Sequence, residues 1–330
     1  MTGYTRTAIA SLSLVALALA GCSSAPSEAD DRLTIVSSTD VYADIASDIA
    51  GDRADVSAII SGTTQDPHSY EATARDQLAL SRADLVIENG GGFDPFIHTL
   101  LDGLQGESPV VVTVAELAEA AEDEHAREEE HAHEEEHAHE HGADDDHSHE
   151  GHEHSHADGN EHVWYSLATI EAFAGELAAQ LSELDPAGAE EFDANLAAFT
   201  SELEQLEQRA DELRAEHDGT PIAVTEAAPL LLFEQLGLVN ETPADFSAAI
   251  ENGSDVAPAV LLEMERLIEG GTLALLAYNE QTAGPETERV LALAESTGLP
   301  IVPVAETLPE GMGYLEWMST VLDEVGAALA

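Results

Sequence analysis

The chain has 330 residues, with 67 Asp and Glu against 10 basic residues, all of them Arg, and a formal charge of −57. A surface this poor in cations excludes nucleic-acid binding, which needs a basic patch to meet phosphates, and the charge speaks to solubility and cation attraction. Cys22 is the single cysteine, so an internal disulfide is excluded, and a bound metal has to rest on His and carboxylates, donors that suit zinc, manganese or iron.

Residues 1–21 read as a secretory signal: Arg6, an apolar run over 8–20, then Gly21. The run is shorter than the roughly 20 residues that span a bilayer. Leu19-Ala20-Gly21-Cys22 is similar to a bacterial lipobox, in which the Cys becomes a lipid-bearing N-terminus. Residues 22–32, with Ser23-Ser24-Ala25-Pro26-Ser27, read as a flexible tether. Cleavage before Cys22 leaves 309 residues (330 less 21), enough for two domains.

Over 33–117 the pattern alternates, with strands at 33–36, 56–60, 85–87 and 110–112 and helices at 41–50, 76–83 and 93–104. That order predicts parallel βαβ units. Residues 125–156 then hold eleven His among acids, and 119–161 contribute −17 of the charge. With little apolar surface to bury, 119–159 are expected to be a disordered insert. A helix returns at 166–184 and is broken by Asp185-Pro186. Phe192, Leu196, Phe199, Leu203, Leu206 and Leu213 then form one stripe of a long helix over 187–217, ended by Gly219. The second half repeats the α/β pattern: strands at 222–224, 273–278 and 300–304, helices at 229–236, 257–270, 286–296 and 314–329. The expected plan is an N-terminal α/β lobe over 33–184, a linking helix over 185–217 and a C-terminal α/β lobe over 218–330.

Four short motifs carry chemistry. Asp66-Pro67-His68-Ser69-Tyr70-Glu71, with Asp76 beyond, follows a predicted strand, where open α/β sheets place ligands; Pro67 is expected to hold the turn extended and aim His68 into a cleft. Glu161-His162-Val163-Trp164 opens the last helix of the first lobe. Val224-Thr225-Glu226 and Val304-Ala305-Glu306 each put an acid straight after a buried strand. Singly, each has an ordinary reading: a solvated loop His, a His packed on Trp, or an acid answering a helix dipole. Together the four are expected to face one interlobe cleft, and two imidazoles with two carboxylates suit a first-row metal ion. Protons are expected to compete at the imidazoles, near pH 6.5, while the carboxylates stay ionised between about pH 7 and 5. His98 and His217 lie on predicted helices and read as structural.

On these motifs the chain resembles the zinc and manganese solute-binding lipoproteins of bacterial ABC importers. The likeness rests on the lipobox, D-P-H-S-Y-E, H-V-W after a His/acid insert, the L-D-P-A-G-A-E-E-F-D-A-N-L opening of the long helix, and the tail from Tyr278-Asn279-Glu280-Gln281 through Glu306 to Trp317. It implies two Rossmann-like lobes bridged by a rigid helix, with metal in the cleft. The implied ligands are His68, His162, Glu226 at a position that is His in many zinc members and Glu in many manganese members, and Glu306, where Asp is commoner. Asn160-Glu161 stands where the family has Asp-Pro. Zinc is the implied cargo, on the strength of the His-rich insert, with manganese as the alternative that Glu226 supports. The resemblance further implies a monomer that is not an enzyme, anchored through Cys22 on the extracytoplasmic face of the cell membrane. Its partners would be an import permease and that permease's ATPase. A surface-adhesin role also occurs in such lipoproteins. A zinc hydrolase is disfavoured: there is no H-E-x-x-H and no serine elbow, and four protein ligands leave no open position for water. The insert reads either as a loose collector of zinc or as a solvated spacer.

Overall fold

The computed structural model describes residues 32–63, 67–106, 108–118 and 160–330. The signal, Cys22, the tether, Asp66 and the His-rich insert lie outside the described residues.

Strands β1 (Leu33–Thr39), β2 (Ala54–Ile60), β3 (Leu85–Glu88) and β4 (Val110–Thr113) form one parallel sheet in the order β2-β1-β3-β4. Val36 sits between Ser57 and Val86 in register. The crossovers carry α1 (Asp40–Ala50), α2 (Ala74–Leu80) and α3 (Phe96–Asp102). Next come α4 (Leu167–Leu184), capped by the Ser166 side chain, and α5 (Ala189–His217). The second sheet contains β5 (Pro221–Val224), β6 (Val239–Asn240), β7 (Leu276–Asn279) and β8 (Ile301–Val304), also parallel, in the order β6-β5-β7-β8. It is crossed by α6 (Leu230–Gln235), α7 (Ala244–Glu251), α8 (Pro258–Glu269) and α9 (Pro285–Thr297), and α10 (Tyr314–Leu329) ends the chain. The two lobes thus repeat one strand order. β3 and β7 are buried along their whole length, as inner strands of parallel sheets covered on both faces are.

Helix α5 links the lobes. Its 29 residues span about 43 Å at 1.5 Å per residue. Phe192, Phe199, Leu203 and Leu206 of the expected stripe are buried, with Leu196 and Leu213 partly buried beside them. Glu190 and Glu191 in the first turn, and Arg214 and His217 in the last, answer its dipole. The chain leaves α4 at Asp185, which Arg53 holds through Nε at 2.7 Å. Helix α5 packs on α4 and α1, while α10, grouped with the second lobe by chain order, lies along α5 and touches α1.

Polar ties cross from lobe to lobe over this apolar seam. Asp40 accepts from the Gly62 N–H (2.7 Å) and from the Leu308 N–H of the second lobe (3.0 Å). Asp44 accepts from the Tyr314 N–H at the start of α10 (2.7 Å). Tyr165 donates to the Ala305 carbonyl (3.0 Å) and accepts from the Ala305 N–H (3.2 Å). Tyr314 donates to the Trp164 carbonyl (2.8 Å).

Two elements depart from the sequence-based plan: strand β6 and helix α7. Both residues of β6 are exposed, and in α7 only Phe246 is fully buried. Neither carries enough apolar periodicity to announce itself.

Asp40→Ala leaves two part-buried N–H groups without their acceptor, so it should cost roughly 1–3 kcal/mol. The check is a urea titration of the metal-free protein: a lower midpoint at unchanged slope is expected, and an unchanged midpoint would show that this tie does not hold the seam.

Candidate metal centre

His68 lies in a 3-10 turn, Pro67–Ser69, closed by Tyr70 N–H to Pro67 O at 3.3 Å. The extended turn expected from Pro67 is therefore corrected to a wound one, which shortens the segment and stands the imidazole against Phe93 (ring centroids 4.9 Å apart). Asp76 of the same motif is an anchor. It accepts from Tyr70 Oη (2.9 Å) and from the Thr73 backbone and hydroxyl (2.7 Å each), in a capping box that starts α2.

His162 is buried just before a second 3-10 turn, Val163–Tyr165. Its ring lies among Trp164 and Phe93, with centroids 5.1 and 5.8 Å away. Nδ1 is 2.7 Å from Asn160 Oδ1. Since an amide oxygen only accepts, this bond assigns the proton to Nδ1 and leaves the lone pair on Nε2. Nε2 is buried with no hydrogen-bond partner among the described residues. Asn160, at the expected Asp-Pro position, also donates to the Ala227 carbonyl of the second lobe (2.8 Å). Glu161 is held through its carbonyl by Asn89 Nδ2 (2.8 Å). Asn89 opens a loop of three positive-φ glycines, Gly90 to Gly92. At Gly90 a Cβ would collide with the Thr113 methyl, so only glycine permits this path.

Glu226 and Glu306 leave the carboxyl ends of β5 and β8, as their motifs predict. Asn279, the last residue of β7, donates its side-chain amide to Glu226 Oε1 and to Glu306 Oε1 (3.1 Å). Glu306 Oε2 turns toward His68 Nε2, 4.0 Å away. His68, His162 and Glu306 each offer a ligand atom, all within 4.8 Å of one another. Among the described residues Glu226 is not part of that set; its carboxyl sits behind, bonded to Asn279 and Glu306.

Sequence reading missed Asn160, Asn279, Glu161 and Glu251. Asn279 was findable, because its register with Val304 places it at the same sheet edge as Glu306. Glu251 ends α7, the helix the pattern did not show. With His68 and Glu161 it forms a second, half-buried set within 4.8 Å, beside a cavity of about 410 Å³. Glu161 Oε1 is 3.2 Å from His68 Nδ1, a carboxylate placed to orient a metal-binding imidazole from behind.

The electrostatics invert the sequence-based expectation about protons. Burial, helped by the neighbouring His68, pushes His162 down to about 3, so it is neutral throughout the physiological range. Burial raises Glu226 to about 7 against its bond from Asn279. Burial, then Glu251 and Asp94, raise Glu161 to about 7. Acidic protons near neutrality belong to carboxyls here, because desolvation penalises whichever form is charged. A divalent ion fits this donor set: it meets a lone pair already bare and replaces protons on acids that burial has made reluctant to ionise.

The family model for ZnuA, the periplasmic component A of a zinc-uptake complex, matches residues 35–328. The chain belongs to this family. It is 26% identical to the manganese ABC transporter substrate-binding lipoprotein PsaA of Streptococcus mitis, over 97% of each chain. It is 30% identical to the metal ABC transporter substrate-binding lipoprotein ScbA of Streptococcus cristatus over 61% of this chain; that match spans only 58% of the relative. Likeness to the zinc-binding lipoprotein AdcA of Streptococcus pneumoniae is 25%, over 90% of this chain and 55% of the relative. The fold is that of crystalline ZnuA (TM-score 0.67, 19% identity, 91% of this chain and 100% of that one) and of the periplasmic zinc-binding protein TroA of Treponema pallidum (0.67, 20%, 91% and 99%). The ZnuA-family chain is a metal solute-binding component of an ABC importer, and the family is not enzymatic. Among the described residues no helix is long and apolar enough to cross a membrane.

The sign of the pH dependence follows. Burial pushes Glu161 up to about 7 in the fold, from the ordinary glutamate value of 4.5. Its contribution to the stability of the metal-free fold is therefore complete below about pH 4.5 and lost as pH rises through about 7. Metal binding should drive that proton off. In calorimetry with buffers of different ionisation enthalpy, the full chain at pH 6 should release more protons per zinc than Glu161→Gln, by up to about one, the gap closing by about pH 8.5. Equal release at pH 6 would remove Glu161 from the titrating set.

Proposed function

We propose that this ZnuA-family protein captures zinc outside the cytoplasm, held to the membrane through a lipid on Cys22, and passes it to an import permease driven by an ATPase. The observations that carry the reading are the buried Nε2 of His162, without a hydrogen-bond partner among the described residues, and the convergence of ligand atoms from His162, His68 and Glu306 to within 4.8 Å of one another. A buried polar atom left unsatisfied costs free energy, and a metal ion is the ligand that a fixed imidazole lone pair beside a carboxylate suits. Glu226 would complete four ligands by turning from Glu306. Four protein donors of N and O type close a tetrahedral zinc site and leave no coordination position for a reacting water. The eleven His of 125–156 would hold further zinc weakly.

Manganese is the second reading. Glu226 in place of His favours it, since a carboxylate can chelate through both oxygens and oxygen donors suit manganese. The likeness to PsaA along nearly the whole chain points the same way. Intrinsic affinities still run from manganese up to zinc.

Native mass spectrometry of a chain lacking 119–159, offered both ions equally at pH 7.5, tests the choice. One zinc should be retained and manganese displaced, and Glu226→His should sharpen that preference. His68→Ala or His162→Ala should weaken zinc by more than about 100-fold, because even residues that only orient ligands are worth 10–100-fold. Manganese retained against zinc would transfer the assignment to manganese, and undiminished zinc in both His variants would remove the cleft as the site.

A further inference from the structure

Outside the cleft one buried acid has no place in the capture chemistry. Glu88 ends β3 with its carboxyl buried. Oε1 accepts from Thr113 Oγ1 at 2.8 Å, while Oε2 is buried without a hydrogen-bond partner among the described residues. Burial raises the pKa of this carboxyl, with Thr113 and His98 acting against the rise. The group lines a cavity of about 350 Å³, together with Gly90, Gly91, His98, Thr113 and Glu116. His98 stands on α3 with its side chain 67% exposed, so its expected structural role does not hold. Its Nε2 is 3.7 Å from Glu88 Oε1. Two N or O ligands at 2.0–2.2 Å from a tetrahedral zinc lie roughly 3.3–3.6 Å apart, so this pair needs to close by only a few tenths of an ångström. Gly90 and Gly91, whose loop backs Glu161 on its other side, keep one wall free of side chains.

We propose that Glu88 and His98, with Glu116 as a third, outer carboxylate, form a second divalent-cation site of the zinc class, one loop away from the cleft centre. The ion would sit between Glu88 Oε1 and His98 Nε2, with water filling positions toward the open side. Imidazole beside carboxylate selects a borderline ion over calcium or magnesium, which take oxygen donors. Glu116 lies nine residues before His125, the first of the eleven His of 125–156. The site therefore adjoins, in the chain, the segment that carries most of the His. It stands independently of the cleft assignment, since it shares none of His68, His162, Glu226 or Glu306.

Carbethoxylation of histidine with diethyl pyrocarbonate, read peptide by peptide on the full chain across a zinc titration, separates His98 from the cleft and from 125–156. His98 should react freely without zinc and lose about tenfold in modification once zinc exceeds its dissociation constant tenfold. His217, half-buried beside Glu216 at the end of α5, should not change. Glu88→Gln should abolish the protection of His98 while His68 remains protected. Glu116→Gln, on the exposed surface, should weaken the protection, which keeps the test decisive even where Glu88→Gln fails to fold. His98 equally reactive at every zinc level overturns the proposal, as does protection that survives both substitutions unchanged.

Discussion

The amide of Asn279 holds two buried carboxyl groups, Glu226 and Glu306, side by side at the edge of the second sheet. Much of the fold is arranged around that juxtaposition. Carboxylates taken out of water are tolerated only when hydrogen-bonded, neutralised or paired with a cation. Without metal, hydrogen bonds and protons meet that demand: Asn279 donates, and Glu226 keeps its proton up to about pH 7. The opposite lobe answers with the His162 imidazole, whose charge burial makes costly, so it stays neutral. Both sides of the cleft thus carry buried donors in uncharged form, which become strong ligands when a divalent ion replaces the protons.

Such a site needs a seam that does not open to bulk water or slide. The apolar core is continuous through Tyr42, Phe173, Phe199, Phe233 and Leu322, so the lobes share one interior along α5 and α10. The polar ties cluster near the ligands. Ala305, bonded twice by Tyr165, immediately precedes Glu306, and Leu308, bonded by Asp40, follows two residues later. Glu306 is therefore pinned on both sides from the first lobe. Asn160 does the converse, fixing His162 Nδ1 while reaching Ala227 beside Glu226. Ligand position and lobe position are set by the same bonds, which is how geometry finer than an ångström survives in a cleft made from two separate sheets.

Much of this was legible in the sequence, for a physical reason. Inner strands of parallel sheets are buried on both faces, so runs such as Leu85-Val86-Ile87 read without ambiguity, and acids placed two residues after Val224 and Val304 mark carboxyl edges. The stripe from Phe192 to Leu213 declared α5 because its period is 3.6 over about six turns. Less visible was whatever depends on tertiary burial. The wound turn at Pro67–Ser69, the amide of Asn279 and the shifted acidities of Glu161, Glu226 and His162 are properties of surroundings that assemble only in the fold. Helix α7 was missed because one buried Phe246 gives no period, and with it went Glu251 at the cleft mouth.

Selectivity and attraction are then separate tasks of the same charge-rich chain. A formal charge of −57 draws every cation alike, and the half-buried pair Glu161 and Glu251 at the mouth discriminates little more, since carboxylates accept hard and borderline ions. Discrimination has to come from nitrogen. His162 contributes it from a held position, because Nδ1 is bonded to Asn160 and the ring packs against Phe93 and Trp164. An ion that prefers six or more oxygen ligands would have to accept this nitrogen in place of an oxygen and find its remaining donors in a buried pocket. Under the proposed zinc reading, three donors already converge, from His68, His162 and Glu306, and Glu226 would turn in as the fourth. On the proposed reading, the acidic surface would govern how often ions arrive, and the fixed imidazole of His162 would bias which of them stay.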